Sequence, residues 1–379
     1  NTILMKFYLK TDKNDERTIF ITGNFNNWNP RDKNYSLQKT KDGYFIEISD
    51  DKLPPEIEYK FTKGGWENVE MDSEGHFTSN RKVKKQAKKV EDIVEDWRLN
   101  WAPFKEEYFP KIELISENFY IPQLNKTRKI WALLPYDYEN SHKNYPVLYL
   151  QDAQNLFNED SVFGNWEIDK KLSLLAEYGI GDIIIIAVEH GSQDRIQEYV
   201  FEDENKYAVK AEGKKYIRFI TDTLKPYVDQ HFRTLPEREH TGIGGSSLGA
   251  LISIYGGFLY PEVYSKLMLF SPSLWLNPNN NFPMLSFHQP YHTKVYIYGG
   301  ELEGSDMVKR INLFKIAMKR WEESKSIEFD IRTSIHPEGK HQEFYWSQEF
   351  PRALEWLFFD KLENPKERKK KYNKAKQNV

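Results

Sequence analysis

The 379-residue chain has no cysteine. That excludes disulfides and a thiol nucleophile, and it removes the usual marker of redox compartment. No apolar run reaches the roughly 18 residues that a membrane-spanning helix needs, so no membrane partner is expected. No signal-peptide pattern is visible. The chain starts at Asn1, which is compatible with a processed N-terminus. Processed, it would be periplasmic or secreted; otherwise it would be cytoplasmic. The net charge of −3 implies no general attraction to nucleic acid. His288 and His292 are separated by Pro290, across which helical i,i+4 ligand spacing cannot hold. No other His/Asp/Glu cluster has metal spacing, so neither metal nor cofactor is expected. Aromatic residues, by contrast, are plentiful at 15%. They serve as core or as platforms for sugar rings.

The segment Gly245-Ser-Ser247-Leu-Gly249 is a G-x-S-x-G pentapeptide with Ser247 at its centre. A short strand around Thr241 and Ile243 precedes it, and Ala250 to Phe258 reads as a buried helix. Strand, tight turn and helix form the setting in which such a serine is presented as a nucleophile. Ser246 competes, but its flanks do not give the motif.

The first 85 residues alternate apolar and polar over 3–10, 17–22, 43–49 and 56–62, with turn-rich segments between. That pattern predicts a small all-β sandwich of immunoglobulin-like size. Residues 86–110 read as a linker, with a solvated charge run from Lys82 to Lys89 and anchors at Trp97, Trp101, Pro103 and Tyr108. From 111 to 364, strands and helices alternate. Expected strands are 112–120, 128–134, 146–150, 182–188, 266–270, 294–298 and 327–335; expected helices are 168–178, 206–231, 305–323 and 342–362. This predicts a mostly parallel sheet with helices on both faces. Residues 365–379 form a lysine-rich, solvated tail.

A serine hydroxyl needs a base within reach and a third group to orient that base. With the chain order Ser, acid, His, the base lies downstream of Ser247. His336 ends the last strand. His341 sits in the glycine-containing loop before the last helix, which is the expected place for the base. The acid should follow the strand 294–298, where Glu301, Glu303 and Asp306 are available. Two backbone donors are needed for an oxyanion. They are assigned to Leu248 and to Gln154, with Ala153 next, in the loop after 146–150. Trp166, Tyr199 and Trp275 lie on loops near strand ends and are expected to flank a substrate pocket, with Arg195 as its basic residue.

Two resemblances follow from these residues. Thr22-Gly-Asn-Phe-Asn-Asn-Trp28-Asn-Pro30, Ile57-Glu-Tyr-Lys60-Phe61 and Ser79-Asn-Arg81 resemble starch- and glycogen-binding sandwich modules. That resemblance implies a sugar site at Trp28 and Lys60, with Trp66 as the nearest second tryptophan and glucan or another polysaccharide as partner. Met71 stands where the starch-binding pattern has its second tryptophan. Asp152 to Phe157, Phe163 to Asp169, Arg195 to Tyr199, Ile243 to Gly249 and Glu338 to His341 resemble the putative-esterase family. That family comprises metal-independent α/β hydrolases that include feruloyl, acetyl-xylan and enterochelin esterases. The resemblance implies Ser247 as nucleophile, His341 as base and Glu303 at the acid position, with Ala153 replacing the family's usual glycine. Function is thus expected to be hydrolysis of a carboxylic ester, with acetyl or feruloyl esters on carbohydrate as substrate. The alternatives are a siderophore esterase, an acyltransferase and a non-catalytic carbohydrate-binding protein.

Overall fold

Uninterrupted apolar stretches such as Ile183–Val188 leave no polar face for water, so they form strands buried on both sides. The computed structural model describes residues 3–13, 15, 17–73, 75–98, 104–157, 159–161, 164–203, 209–284, 291–325 and 327–359. Among the expectations above, Trp101, Pro103, Phe163, Lys206, His288, Pro290 and the tail 365–379 lie outside the described residues. The chain divides into two units, Asn1–Phe104 and Lys105–Val379.

The first unit is all β among its described residues, apart from short 3-10 turns. Its strands are β1 (Leu4–Lys10), β2 (Phe20–Gly23), β3 (Gln38–Thr40), β4 (Gly43–Ser49), β5 (Glu56–Thr62), β6 (Glu70–Met71), β7 (Arg81–Lys84), β8 (Lys89–Ile93) and β9 (Asp96–Trp97). They form sheets in the orders β3-β4-β1-β8, β2-β5-β7 and β6-β9. In β1 and β5, every second residue faces the core (Met5, Phe7 and Leu9; Ile57, Tyr59 and Phe61), as the period-2 pattern requires. The reading of 86–110 as a linker needs correction. β8 pairs with β1, and Trp97 is buried with its Nε1 donating to Thr11 Oγ1 at 3.0 Å. The alternating charges of β8 hid a strand whose outer face is solvated. Arg81 is a structural clamp here: it meets Glu70 at 2.7 Å and Asp92 at 2.8 Å.

The second unit contains β10 (Lys111–Ile121), β11 (Lys126–Leu134), β12 (Val147–Gln151), α1 (Ile168–Glu177), β13 (Ile184–Val188) and α2 (Arg195–Tyr199). It continues with α3 (Gly213–Arg218), α4 (Lys225–His231), β14 (Thr241–Ser246), α5 (Leu248–Leu259) and β15 (Lys266–Phe270). It closes with β16 (Tyr291–Gly300), α6 (Met307–Lys325), β17 (Ile327–His336) and α7 (Glu343–Leu354). Between α3 and α4, the π-helical turn Phe219–Leu224 keeps the helix continuous. The eight strands form one sheet in the order β10-β11-β13-β12-β14-β15-β16-β17. From β13 to β17 all neighbours are parallel, and β11 joins antiparallel to β10 and β13. Alternate residues of one strand feed opposite faces. Tyr149 belongs to the core under α3, α5 and α6, while Leu148 and Leu150 belong to the core under α1 and α7. The chain moves outward from β12 in both directions, so the crevice at the carboxyl ends of β12 and β14 is where such sheets place a site.

β14 and α5 approach so closely that their junction admits almost no side chain. A Cβ on Gly245 would sit 2.8 Å from the carbonyl carbon of Gly249. Gly245→Ala is therefore expected to destabilise the fold by about 1–3 kcal/mol through forced backbone displacement. Chemical denaturation measures this, and an unchanged midpoint would contradict the packing described.

Candidate active site

Ser247 links β14 to α5 with φ 57° and ψ −120°, a left-sided conformation that a β-carbon makes costly. Neighbouring backbone holds it there. Ser247 N–H donates to Phe270 O at 2.9 Å, and Ser273 N–H donates to Ser247 O at 3.1 Å. Its hydroxyl lies 3.2 Å from the hydroxyl of Ser273. Because Leu248 is the first residue of α5, its N–H has no intrahelical acceptor. The loop after β12 abuts the same helix: a Cβ on Gly249 would lie 3.0 Å from Asp152 Oδ2. The left-handed position of that loop is Asp152 (φ 61°), not Ala153, so a β-carbon at 153 costs no backbone strain. Gln154 is stapled to the end of β13. Its Nε2 donates to His190 O at 3.0 Å, and its Oε1 accepts from His190 N–H at 2.9 Å. His190 Nδ1 accepts from Ser192 N–H at 3.0 Å, and burial pushes its pKa below the usual histidine value.

The acid and histidine loops are joined by backbone bonds. Glu301 N–H donates to His336 O and Leu302 N–H to Gly339 O, both at 3.0 Å. The loops cross at Gly300 and Gly339, where a Cβ on Gly300 would lie 2.2 Å from Gly339 O. This crossing sets Glu303 Oε2 2.8 Å from His341 Nδ1. The other oxygen, Oε1, accepts from Gly300 N–H at 2.8 Å and from Ser271 Oγ at 2.6 Å. Ser271 itself accepts from Trp346 Nε1 at 2.9 Å, and the Trp346 ring meets the His341 ring edge-on at 5.1 Å. A carboxylate on Nδ1 fixes the tautomer and leaves Nε2 as the nitrogen that can work as a base.

Residues 121–357 match the sequence profile of the family described as Putative esterase, well over half of the 379 residues. The chain belongs to that family. It is a carboxylic ester hydrolase with the α/β-hydrolase fold. The esterase is 24% identical over 243 residues to the uncharacterized protein YbbA of Bacillus subtilis, covering 61% of this chain and 92% of YbbA. It is 32% identical over 82 residues to an alpha-amylase of Niallia circulans, covering 21% of this chain and 6% of the amylase. Among solved structures, the enterobactin esterase FES of Shigella flexneri is similar with 13% identity. That match covers 93% of each chain at a TM-score of 0.48.

Several residues expected at the substrate pocket of the esterase stand elsewhere. Tyr199 is 0% exposed and packs on Tyr216 at 5.1 Å. Trp166 is 1% exposed and stacks on Phe270 at 5.0 Å. Neither ring can cover a substrate, because Tyr199 belongs to the core on one face of the sheet and Trp166 to the core on the other. Trp275, 49% exposed on the turn after Ser273, remains open. Arg195 is committed to Asp152 through two 2.8 Å bonds. Burial opposes its charge, but Asp152 outweighs this and holds its pKa above the usual arginine value. Glu301 and Asp306 are exposed, and Asp306 pairs with Arg310 at 3.2 Å. His336 is also elsewhere: its Nδ1 accepts from Glu338 N–H at 3.1 Å. In the first unit, Lys60 is half-buried and donates to Thr78 Oγ1 at 3.0 Å. Burial holds its pKa below the usual lysine value. Trp28 and Trp66 lie 6.3 Å apart, and Trp66 is 41% exposed.

Ser271, Ser273, Trp346 and His190 were not anticipated. Only Trp346 carried a signal, an aromatic one helical turn into α7 after the histidine loop. Ser271→Ala removes the hydroxyl between Trp346 and Glu303. It is expected to lower kcat about tenfold, or ~1.4 kcal/mol, with KM nearly unchanged. Glu303→Gln is expected to lower it further. Steady-state kinetics on p-nitrophenyl acetate measures both, and an undiminished rate in Glu303→Gln would contradict the acid's assignment.

Proposed function

We propose that Ser247, His341 and Glu303 are the catalytic triad of a serine esterase acting on acyl groups carried by carbohydrate, such as acetyl or feruloyl esters. The observation that carries this reading is the 2.8 Å contact between His341 Nδ1 and a Glu303 carboxylate already oriented by Ser271 and Gly300. His341 Nε2 takes the Ser247 proton as the hydroxyl attacks the ester carbonyl. Backbone N–H groups of Leu248 and Gln154 hold the oxyanion. Collapse of the tetrahedral species expels the alcohol, which leaves with the proton from His341. Water, deprotonated by His341, then attacks the acyl-enzyme, releasing the acid and restoring Ser247.

Support for a carbohydrate-borne ester comes from the first unit, whose Trp28–Trp66 pair offers aromatic surface of the kind that sugar rings stack on. Lys60 is the third residue assigned to that sugar site. Trp275, two residues after Ser273, whose hydroxyl lies 3.2 Å from that of Ser247, is an exposed aromatic of the esterase unit.

Ser247→Ala is expected to lower kcat for ester hydrolysis by a factor on the order of 10⁴ or more. Retention of more than a hundredth of the rate would contradict Ser247 as nucleophile. Trp28→Ala with Trp66→Ala is expected to abolish retardation of the protein in a glucan-containing native gel, while p-nitrophenyl acetate turnover persists. Unchanged retardation, or no retardation of the wild type, would reject the sugar site.

A further inference from the structure

One short segment holds the candidate nucleophile. β15 ends at Phe270, and Ser271, Pro272 and Ser273 follow it. Three contacts run from this segment to Ser247. Phe270 O accepts from Ser247 N–H at 2.9 Å, Ser273 N–H donates to Ser247 O at 3.1 Å, and the hydroxyls of Ser247 and Ser273 lie 3.2 Å apart. The two backbone contacts fix where the chain of Ser247 passes. The hydroxyl contact fixes where its side chain points. Among the described residues, it is the one side-chain hydrogen bond of the Ser247 hydroxyl, and the Ser273 hydroxyl bonds nothing else.

The segment is itself anchored. Ser271 N–H donates to Tyr298 O in β16 at 2.8 Å, and Leu276 N–H donates to Ser273 O at 3.1 Å. Pro272, between the two serines, has a φ fixed by its ring. Ser271 is 0% exposed and Ser273 4%, so neither hydroxyl is open to bulk water. Ser271 donates to Glu303 at 2.6 Å. The two serines of this turn therefore divide between them the acid and the nucleophile of the candidate triad.

A hydroxyl has one donor and two acceptor sites, and that versatility is what Ser247 requires of a neighbour. Before reaction Ser247 carries its proton, and either hydroxyl can donate to the other. During attack the proton passes to His341 Nε2, Oγ bonds to the ester carbonyl carbon, and the carbonyl π pair moves to the oxyanion. Ser247 Oγ is then an acceptor only. The Ser273 hydroxyl turns its hydrogen toward that oxygen and keeps its own proton. When the acyl bond later breaks, the electron pair returns to Ser247 Oγ, and the same donor faces it as His341 gives the proton back.

We propose that Ser273 is a fourth catalytic residue, whose hydroxyl aims that of Ser247 at rest and donates to Ser247 Oγ whenever that oxygen has lost its proton. The proposal rests on the reading of Ser247 as nucleophile and adds a group that the triad does not contain.

The test uses the full chain as wild type, Ser273→Ala and Ser273→Thr. Each is inactivated with a fluorophosphonate, giving a rate constant and, by intact mass, a final number of adducts. Steady-state kinetics on p-nitrophenyl acetate gives kcat and KM. Ser273→Ala keeps the backbone contact to Ser247 and loses only the hydroxyl. It is expected to lower both the inactivation rate constant and kcat about tenfold, the size of one hydrogen bond to a charged group. The final stoichiometry is expected to stay at one adduct on Ser247, with KM changed by less than about twofold. Ser273→Thr keeps a hydroxyl on the same backbone and is expected to stay within about threefold of the wild-type rate. Fewer adducts at an unchanged rate constant would mark a structural role and overturn the proposal. So would a Ser273→Ala rate equal to the wild type, a rise in KM with kcat unchanged, or a Ser273→Thr variant as slow as Ser273→Ala. A wild-type adduct on Ser273 that vanishes in Ser273→Ala would sink the nucleophile assignment instead, so the two failures are distinguished.

Discussion

The site depends on one backbone constraint: a serine held at φ 57° and ψ −120° between a strand and a helix. That conformation persists only because the surroundings over-determine it. The carbonyl of Phe270, at the end of β15, accepts from the serine's N–H, and the N–H of Ser273 donates to the serine's carbonyl. Small residues let β14, α5 and the Asp152 loop pass within contact of one another. The same junction starts α5 immediately after the serine, so an uncommitted helix N–H lies beside the hydroxyl without further design.

A second constraint acts at the other side of the sheet's carboxyl edge. β16 and β17 are paired along ten residues, ending in Gly300 opposite His336. Their loops therefore leave the sheet together and cross where neither glycine could carry a side chain. Register, rather than any attraction between the two side chains, brings Glu303 to His341. The carboxylate is then fixed by Gly300 and Ser271, and Ser271 by Trp346 from α7. Several buried carboxylates elsewhere are likewise held by a guanidinium. Asp152 is held by Arg195, Glu198 by Arg128, and Glu70 with Asp92 by Arg81.

Much of this arrangement was legible in the sequence, and the part that was not has physical causes. Continuous apolar runs announced β12, β13 and β15, because strands buried on both faces cannot alternate. The glycine pattern announced the turn at Ser247, because such a turn has no other solution at those positions. Among three loop carboxylates, local sequence alone could not choose, since the choice is made by a loop crossing between residues far apart in the chain. β8 escaped notice because its outward charges mimic a solvated run while its pairing to β1 is long-range. Trp166 and Tyr199 were misplaced because a loop position near a strand end does not say which way a ring turns, and both turn inward. Ser271 carries no local signal at all; its role exists only through Glu303 and Trp346.

The central claim is that the hydroxyl of Ser247 is the attacking atom. The most direct measurement is stoichiometric inactivation with a fluorophosphonate, followed by intact-mass determination and peptide mapping. The account predicts one adduct per chain, carried by Ser247 and formed more slowly when Glu303 is replaced by Gln. An adduct on Ser246 or Ser273, or none in a protein that still hydrolyses esters, would contradict it.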